Sequence, residues 1–274
     1  MALAALVAML SLSLVSAPVA TAASTVVVTE QDVTRQVQDT PPNDNWVLYT
    51  RAGTPPTAGE FVKGPGTPPR GVGSLQLTTT TGNEKVFLFN FDHIGTKLSD
   101  INKISYSTYR ETGTVQQVAA LNMVIDFNGP AVDGGFSTLV FEPVYNTDQG
   151  EVVSGLWQTW QAAGSGTWWS TRDINSQCKD AIASCYKTWA EIQANNPEAV
   201  ILGGFGINQG SGNPGLVSAV DALTLNSRIY DFEPYRVAAT KDDCKKGGWE
   251  TVKRANGASF KNQGDCVSYG NNGK

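Results

Sequence analysis

The feature that most constrains this chain is a two-residue rhythm of apolar and polar side chains, repeated in short stretches that Gly, Pro, Asn or Asp interrupt. In Ser74-Leu75-Gln76-Leu77-Thr78 the two leucines alternate with polar residues, a period that buries one face of a strand and leaves the other wet. Similar stretches lie at 46–50, 86–91, 104–110, 119–127, 138–145, 152–161, 199–207, 217–225 and 229–235. Spacings of about 8–12 residues without helical periodicity between them are the sequence pattern of a sandwich. The expected fold is all-β: an antiparallel, jelly-roll-like β-sandwich over 46–235.

One helix breaks the rhythm. Thr188-Trp189-Ala190-Glu191 has the form of a capping box, and Asn195-Asn196-Pro197 stops the helix shortly afterwards. The Pro- and Gly-rich run Gly64-Pro65-Gly66-Thr67-Pro68-Pro69-Arg70-Gly71-Val72-Gly73 cannot be helical, because proline lacks a donor and glycine adds backbone entropy.

Residues 1–22 read as a signal peptide, an apolar run ending in the small-x-small site Ala20-Thr21-Ala22. A retained anchor is the alternative; no later segment is long and apolar enough to span a bilayer. Residues 23–45 read as a lead-in to the sandwich. Export implies a secreted or cell-surface protein in an oxidising compartment, where four cysteines permit three pairings. Spacing favours Cys178 with Cys185 and Cys244 with Cys266, the second stapling a small tail element over 236–274. That tail carries eight basic and four acidic residues, so a net charge of −5 divides into an acidic body at −9 and a tail at +4. The acidic body argues against nucleic acid as a partner, while the tail is a candidate contact for anionic envelope polymers or a solvated face.

Several motifs, among them Ser105-Tyr106-Ser107-Thr108-Tyr109-Arg110, Trp157-Gln158-Thr159-Trp160, Trp168-Trp169 and Tyr230-Asp231-Phe232-Glu233-Pro234, resemble a group of secreted bacterial β-sandwich proteins that look like distant relatives of concanavalin-like and carbohydrate-binding jelly rolls. The tail, with Cys244-Lys245-Lys246-Gly247-Gly248-Trp249 and Lys261-Asn262-Gln263-Gly264-Asp265-Cys266, is similar to a portable C-terminal element of secreted bacterial proteins. These resemblances imply a fold and no residue roles.

Chemistry has few places to reside. A single histidine, His93, leaves little for a Ser/His/Asp triad or a His-rich metal centre, and its expected position is a strand-end loop. Four of seven tryptophans, Trp157, Trp160, Trp168 and Trp169, fall in one short stretch, and indole faces stack on sugar rings. Strand parity splits each pair, so one member of each is expected in the core. Asn208 and Gln209, in an amide-rich turn after Gly203-Gly204-Phe205-Gly206, are candidate partners for sugar hydroxyls. The expected function is non-catalytic binding of an extracellular polysaccharide or cell-envelope polymer; a surface or matrix protein without a small ligand is a further reading. The catalytic alternative is a glycan hydrolase or lyase using Glu142 and Glu233, which share a Phe-Glu-Pro context and would need to lie about 5–10 Å apart. The competing reading makes them strand ends next to a terminating proline. No organic cofactor is implied; calcium is the candidate ion, with Asp133 and Asp221 as its weak candidate ligands.

Overall fold

The computed structural model describes residues 22–37, 44–113 and 116–272; the expected signal segment lies outside them except for its last residue. The strands follow in order as β1 (Ser24–Val28), β2 (Val33–Val37), β3 (Trp46–Thr50), β4 (Gly59–Lys63), β5 (Gly73–Thr79), β6 (Lys85–Asn90), β7 (Ile104–Thr112) and β8 (Ala120–Asp126). Next come β9 (Phe136–Phe141), β10 (Trp157–Gln161), β11 (Thr167–Ser170), β12 (Lys187–Thr188), helix α1 (Trp189–Asn195), β13 (Val200–Gly210), β14 (Leu216–Leu225) and β15 (Arg228–Phe232). The tail holds β16 (Arg236–Val237), β17 (Val252–Lys253) and helix α2 (Gln263–Asn272).

Two sheets face each other. The first joins β1-β15-β14-β5-β4, with β7 also on β14 and β10 on β7; the second runs β12-β11-β9-β8-β13-β6-β3-β2. Alternation places Leu75, Leu77, Tyr106 and Val220 of the first sheet against Leu48, Leu88, Met123 and Ile207 of the second, all in one buried core. α1 carries the expected capping box: the Thr188 hydroxyl accepts from the Glu191 amide, and the Glu191 carboxylate accepts from Thr188 N. Its Trp189 and Ile192 enter the same core.

The lead-in differs from its sequence reading. β1 pairs parallel with β15, Val26 opposite Tyr230, and β2 pairs parallel with β3, Thr34 opposite Val47. Each closes an edge whose amides would otherwise lie open, and Val28 joins the core at 1% exposure. The sandwich therefore begins at Ser24 and is mixed at these edges. Several strand limits also shift. The expected 138–145 strand stops at Phe141, where Pro143 opens a 3-10 turn, and the expected 152–161 strand starts only at Trp157, after Gly155 at φ +76°.

Both favoured disulfides are present, Cys178–Cys185 and Cys244–Cys266. The second closes a separate small core of Ala238, Val252 and Phe260, with a second helix, α2, that the sequence reading did not include. Among the described residues no helix is long and apolar enough to cross a membrane.

His93 lies against the end of the core. Its Nε2 is 2.7 Å from the Tyr230 hydroxyl, and its ring meets the edge of Phe205. Burial, assisted by Arg228 and opposed by Asp92, pushes the imidazole pKa down to about 4. The unfolded chain then binds the extra proton between pH 4 and about 6.5, so this contribution to stability is complete above that window and is lost as pH falls through it. Discounted for partial exposure, the loss is about 1–2 kcal/mol. Thermal unfolding from pH 7 to 4 should show a steeper decline in the wild type than in His93→Gln.

Candidate functional site

The four clustered tryptophans separate by parity as expected. Trp160 and Trp168 are fully buried, and their indole N–H groups donate to Thr108 Oγ1 and the Ala162 carbonyl, each at 2.8 Å. They are core residues, not a ligand platform. Trp157 emerges on the outer side of the first sheet, where it packs against Tyr109 and donates to the Pro65 carbonyl at 2.8 Å. Trp169 emerges on the outer side of the second sheet. Gln209 is also a correction: at 2% exposure, it donates to the carbonyls of Leu77 and Leu216 and accepts from the Ser218 hydroxyl. It stitches the two sheets together internally.

Asn208, one residue earlier, points outward. Register then builds a face of mostly buried side chains around it, with Val47, Tyr49, Phe87, Ala120, Asn122 and Val140 at 0–7% exposure. One row across the outer face of the second sheet reads Tyr49, Phe87, Asn208, Ala120; the next reads Val47, Phe89, Gly206, Asn122, Val140, Trp169. With strands about 4.8 Å apart, the six-strand row spans about 24 Å. Small Ala120 and Gly206 lie between an aromatic flank of Tyr49, Phe87 and Phe89 and a second flank at Trp169. The two asparagines sit in the middle, and their Oδ1 atoms are buried without a hydrogen-bond partner.

Glu142 stands just past β9 at the Trp169 end. Trp169 Nε1 donates to its Oε2 at 2.9 Å. Burial raises the Glu142 pKa, with the Trp169 hydrogen bond and Lys85 opposing. Lys85, whose Nζ lies 4.7 Å from the Phe87 ring centre, has its pKa lowered by burial and by Arg51, with Glu142 opposing. Tyr145 and Tyr186 stack with ring centres 5.9 Å apart, and burial, aided by Tyr145 and Glu142, pushes Tyr186 up to about 12. These tyrosines therefore present neutral hydroxyls.

Glu233 belongs elsewhere. It follows β15 on the outer side of the first sheet, so both layers of the sandwich separate it from Glu142. The two carboxylates cannot flank one glycosidic bond, and the paired-acid reading fails. Both are strand-end residues followed by proline, as the competing reading had it. The weak calcium candidates do not meet either: Asp133 is exposed in the loop between β8 and β9, whereas Asp221 is fully buried on β14. Asn122 escaped the sequence reading, although its polar parity within Leu121-Asn122-Met123-Val124-Ile125 was the available signal. Val47, Tyr49 and Phe87 form a small buried cluster on that face, with Phe89 and Phe91 packed against it.

No protein-family model, curated protein or solved structure matches the chain.

Proposed function

We propose that the outer face of the second sheet binds an extracellular polysaccharide or cell-envelope polymer, and that the chain is a secreted or cell-surface binding protein without catalysis. The observation that carries this reading is the pair of unpartnered amide oxygens, Asn122 Oδ1 and Asn208 Oδ1, set between aromatic flanks. A buried unpaired acceptor costs about 1–3 kcal/mol. Sugar hydroxyls are donors of the right kind, and aromatic rings beside them suit the apolar faces of pyranoses. The row is long in one direction, which favours a chain over a lone monosaccharide. The N-terminal apolar run supports export, and two disulfides fit an oxidising compartment.

Affinity electrophoresis across a panel of neutral and anionic polysaccharides tests the reading. Asn122→Leu should weaken retention about tenfold or more, the equivalent of one lost hydrogen bond of about 1.4 kcal/mol. Its melting temperature should hold or rise, since an unsatisfied amide has gone. Retention of the wild type on no polymer would sink the proposal, as would a variant that melts earlier yet binds normally.

A further inference from the structure

A second set of unsatisfied polar atoms lies on the other side of the molecule. Where β14 leaves β5 for β15, Ala222 takes a left-handed φ of 54°, and the register with β7 shifts. Asp221, Asp231 and Glu233 gather there beneath the Arg70–Gly73 segment, at 0%, 7% and 5% exposure. Main-chain amides satisfy part of this charge. Arg70 N and Phe232 N donate to the two Asp221 oxygens at 2.8 and 3.1 Å, and Val72 N and Gly73 N donate to Glu233 Oε1 at 2.6 and 3.2 Å. Gly71 makes that approach feasible: at φ +48°, a Cβ on it would lie 1.6 Å from Glu233 Oε1.

Two oxygens are left over. Asp231 Oδ1 and Glu233 Oε2 are buried without a hydrogen-bond partner. Two residues apart along the chain, they point to the same side. Hard anionic oxygens in such a place call for a hard cation.

We infer that Asp231 and Glu233 form a calcium site under the Arg70–Gly73 segment. Among the described residues no three His, Cys, Asp or Glu side chains are grouped to hold a metal, so the other ligands fall to main-chain oxygens and water. Calcium accepts such a shell, whereas magnesium demands a stricter octahedron and zinc prefers nitrogen and sulfur. Two carboxylates place the dissociation constant in the 10⁻⁴–10⁻³ M range typical of extracellular modules, roughly. The ion would pin the loop over the first sheet, which the bond from Trp157 to Pro65 also fastens.

The test is equilibrium dialysis of the EGTA-stripped chain against radioactive calcium, paired with thermal unfolding. One calcium per chain is expected, and at ten times its dissociation constant it should shift the unfolding equilibrium about elevenfold. Asp231→Asn should abolish this response and melt later than the wild type in EGTA, because the repulsion is relieved; Asp133→Asn should leave calcium binding intact. Should Asp231→Asn fail to fold, Glu233→Gln and the amide exchange of Arg70, Val72 and Gly73 in the wild type supply the readout, calcium slowing these amides. Absence of saturable binding up to about 10 mM calcium, binding that survives in Asp231→Asn, or exchange unaffected by calcium would each overturn the site. Identical pH profiles of unfolding in calcium and EGTA would assign the pair a shared proton instead, and overturn it as well.

Discussion

Trp168→Ala should destabilise the protein by about 3–5 kcal/mol, whereas Trp169→Ala, one residue along, should change stability little and ligand retention strongly. Trp168 is fully buried, its ring centre 5.6 Å from that of Phe141 and 5.7 Å from that of Trp189. Truncation opens a cavity between the two layers and takes the indole donor from the Ala162 carbonyl. A loss of this size is a large share of a typical 5–15 kcal/mol stability, approximately, so Trp168→Phe is the milder companion and should retain part of it. Trp169 instead lies half-buried beside Glu142 on the outer face. Urea midpoints at unchanged slope separate the two cases. A stable Trp168→Ala together with an unfolded Trp169→Ala would reverse the assignment of faces and remove the aromatic flank from the proposed binding face.

The parity that distinguishes these neighbours was legible in the sequence because period two is a local property. Leu75 and Leu77 announce a one-sided strand by themselves, Thr188 and Glu191 announce a helix start, and closely spaced cysteines announce short loops. Parallel edge strands announce nothing locally. Val26 meets Tyr230 and Thr34 meets Val47, and the first of these pairings closes across most of the chain, so β1 and β2 read as a polar lead-in.

The candidate site was half legible for a related reason. Trp169 and Asn208 were visible as residue types, but their meeting depends on the strand order β11-β9-β8-β13, which no spacing encodes. Asn122 contributes only through that order. Gln209 shows the converse: an amide beside a turn looks like a ligand group until the core supplies partners for it. Asp231 was read as a strand residue and Glu233 as a catalytic alternative or a strand end, and the missing information was the fold of a loop some 160 residues earlier, whose Val72 amide reaches Glu233.

Replacing Cys244 and Cys266 together by serine should release the tail while the sandwich stays folded. The bridge spans 22 residues, a loop whose closure stabilises by about 3 kcal/mol in the chain-entropy description. Against that stand the few buried groups of the tail, Ala238, Val252 and Phe260, with Trp249, Val267 and Tyr269 partly covering them. So short an element cannot sustain a core of its own without a staple. Its fastenings to the body include an ion pair from Arg236 to Asp32 and bonds from Lys63 Nζ to the Asn256 carbonyl and from Gln31 Nε2 to the Thr251 carbonyl, all in solvent contact, and exposed pairs contribute about 0–1 kcal/mol each. Limited proteolysis should therefore cut the double variant at Lys245, Lys246 and Lys253 and leave a resistant body with a nearly unchanged melting temperature. Cys178→Ser with Cys185→Ser is the control: its bridge spans 7 residues, and its loss should be felt within the sandwich, near α1, and not in the tail. If the Cys244 and Cys266 variant instead melted the whole chain, the tail would be part of the main folding unit, with β16 acting as a continuation of β15 and not as a hinge.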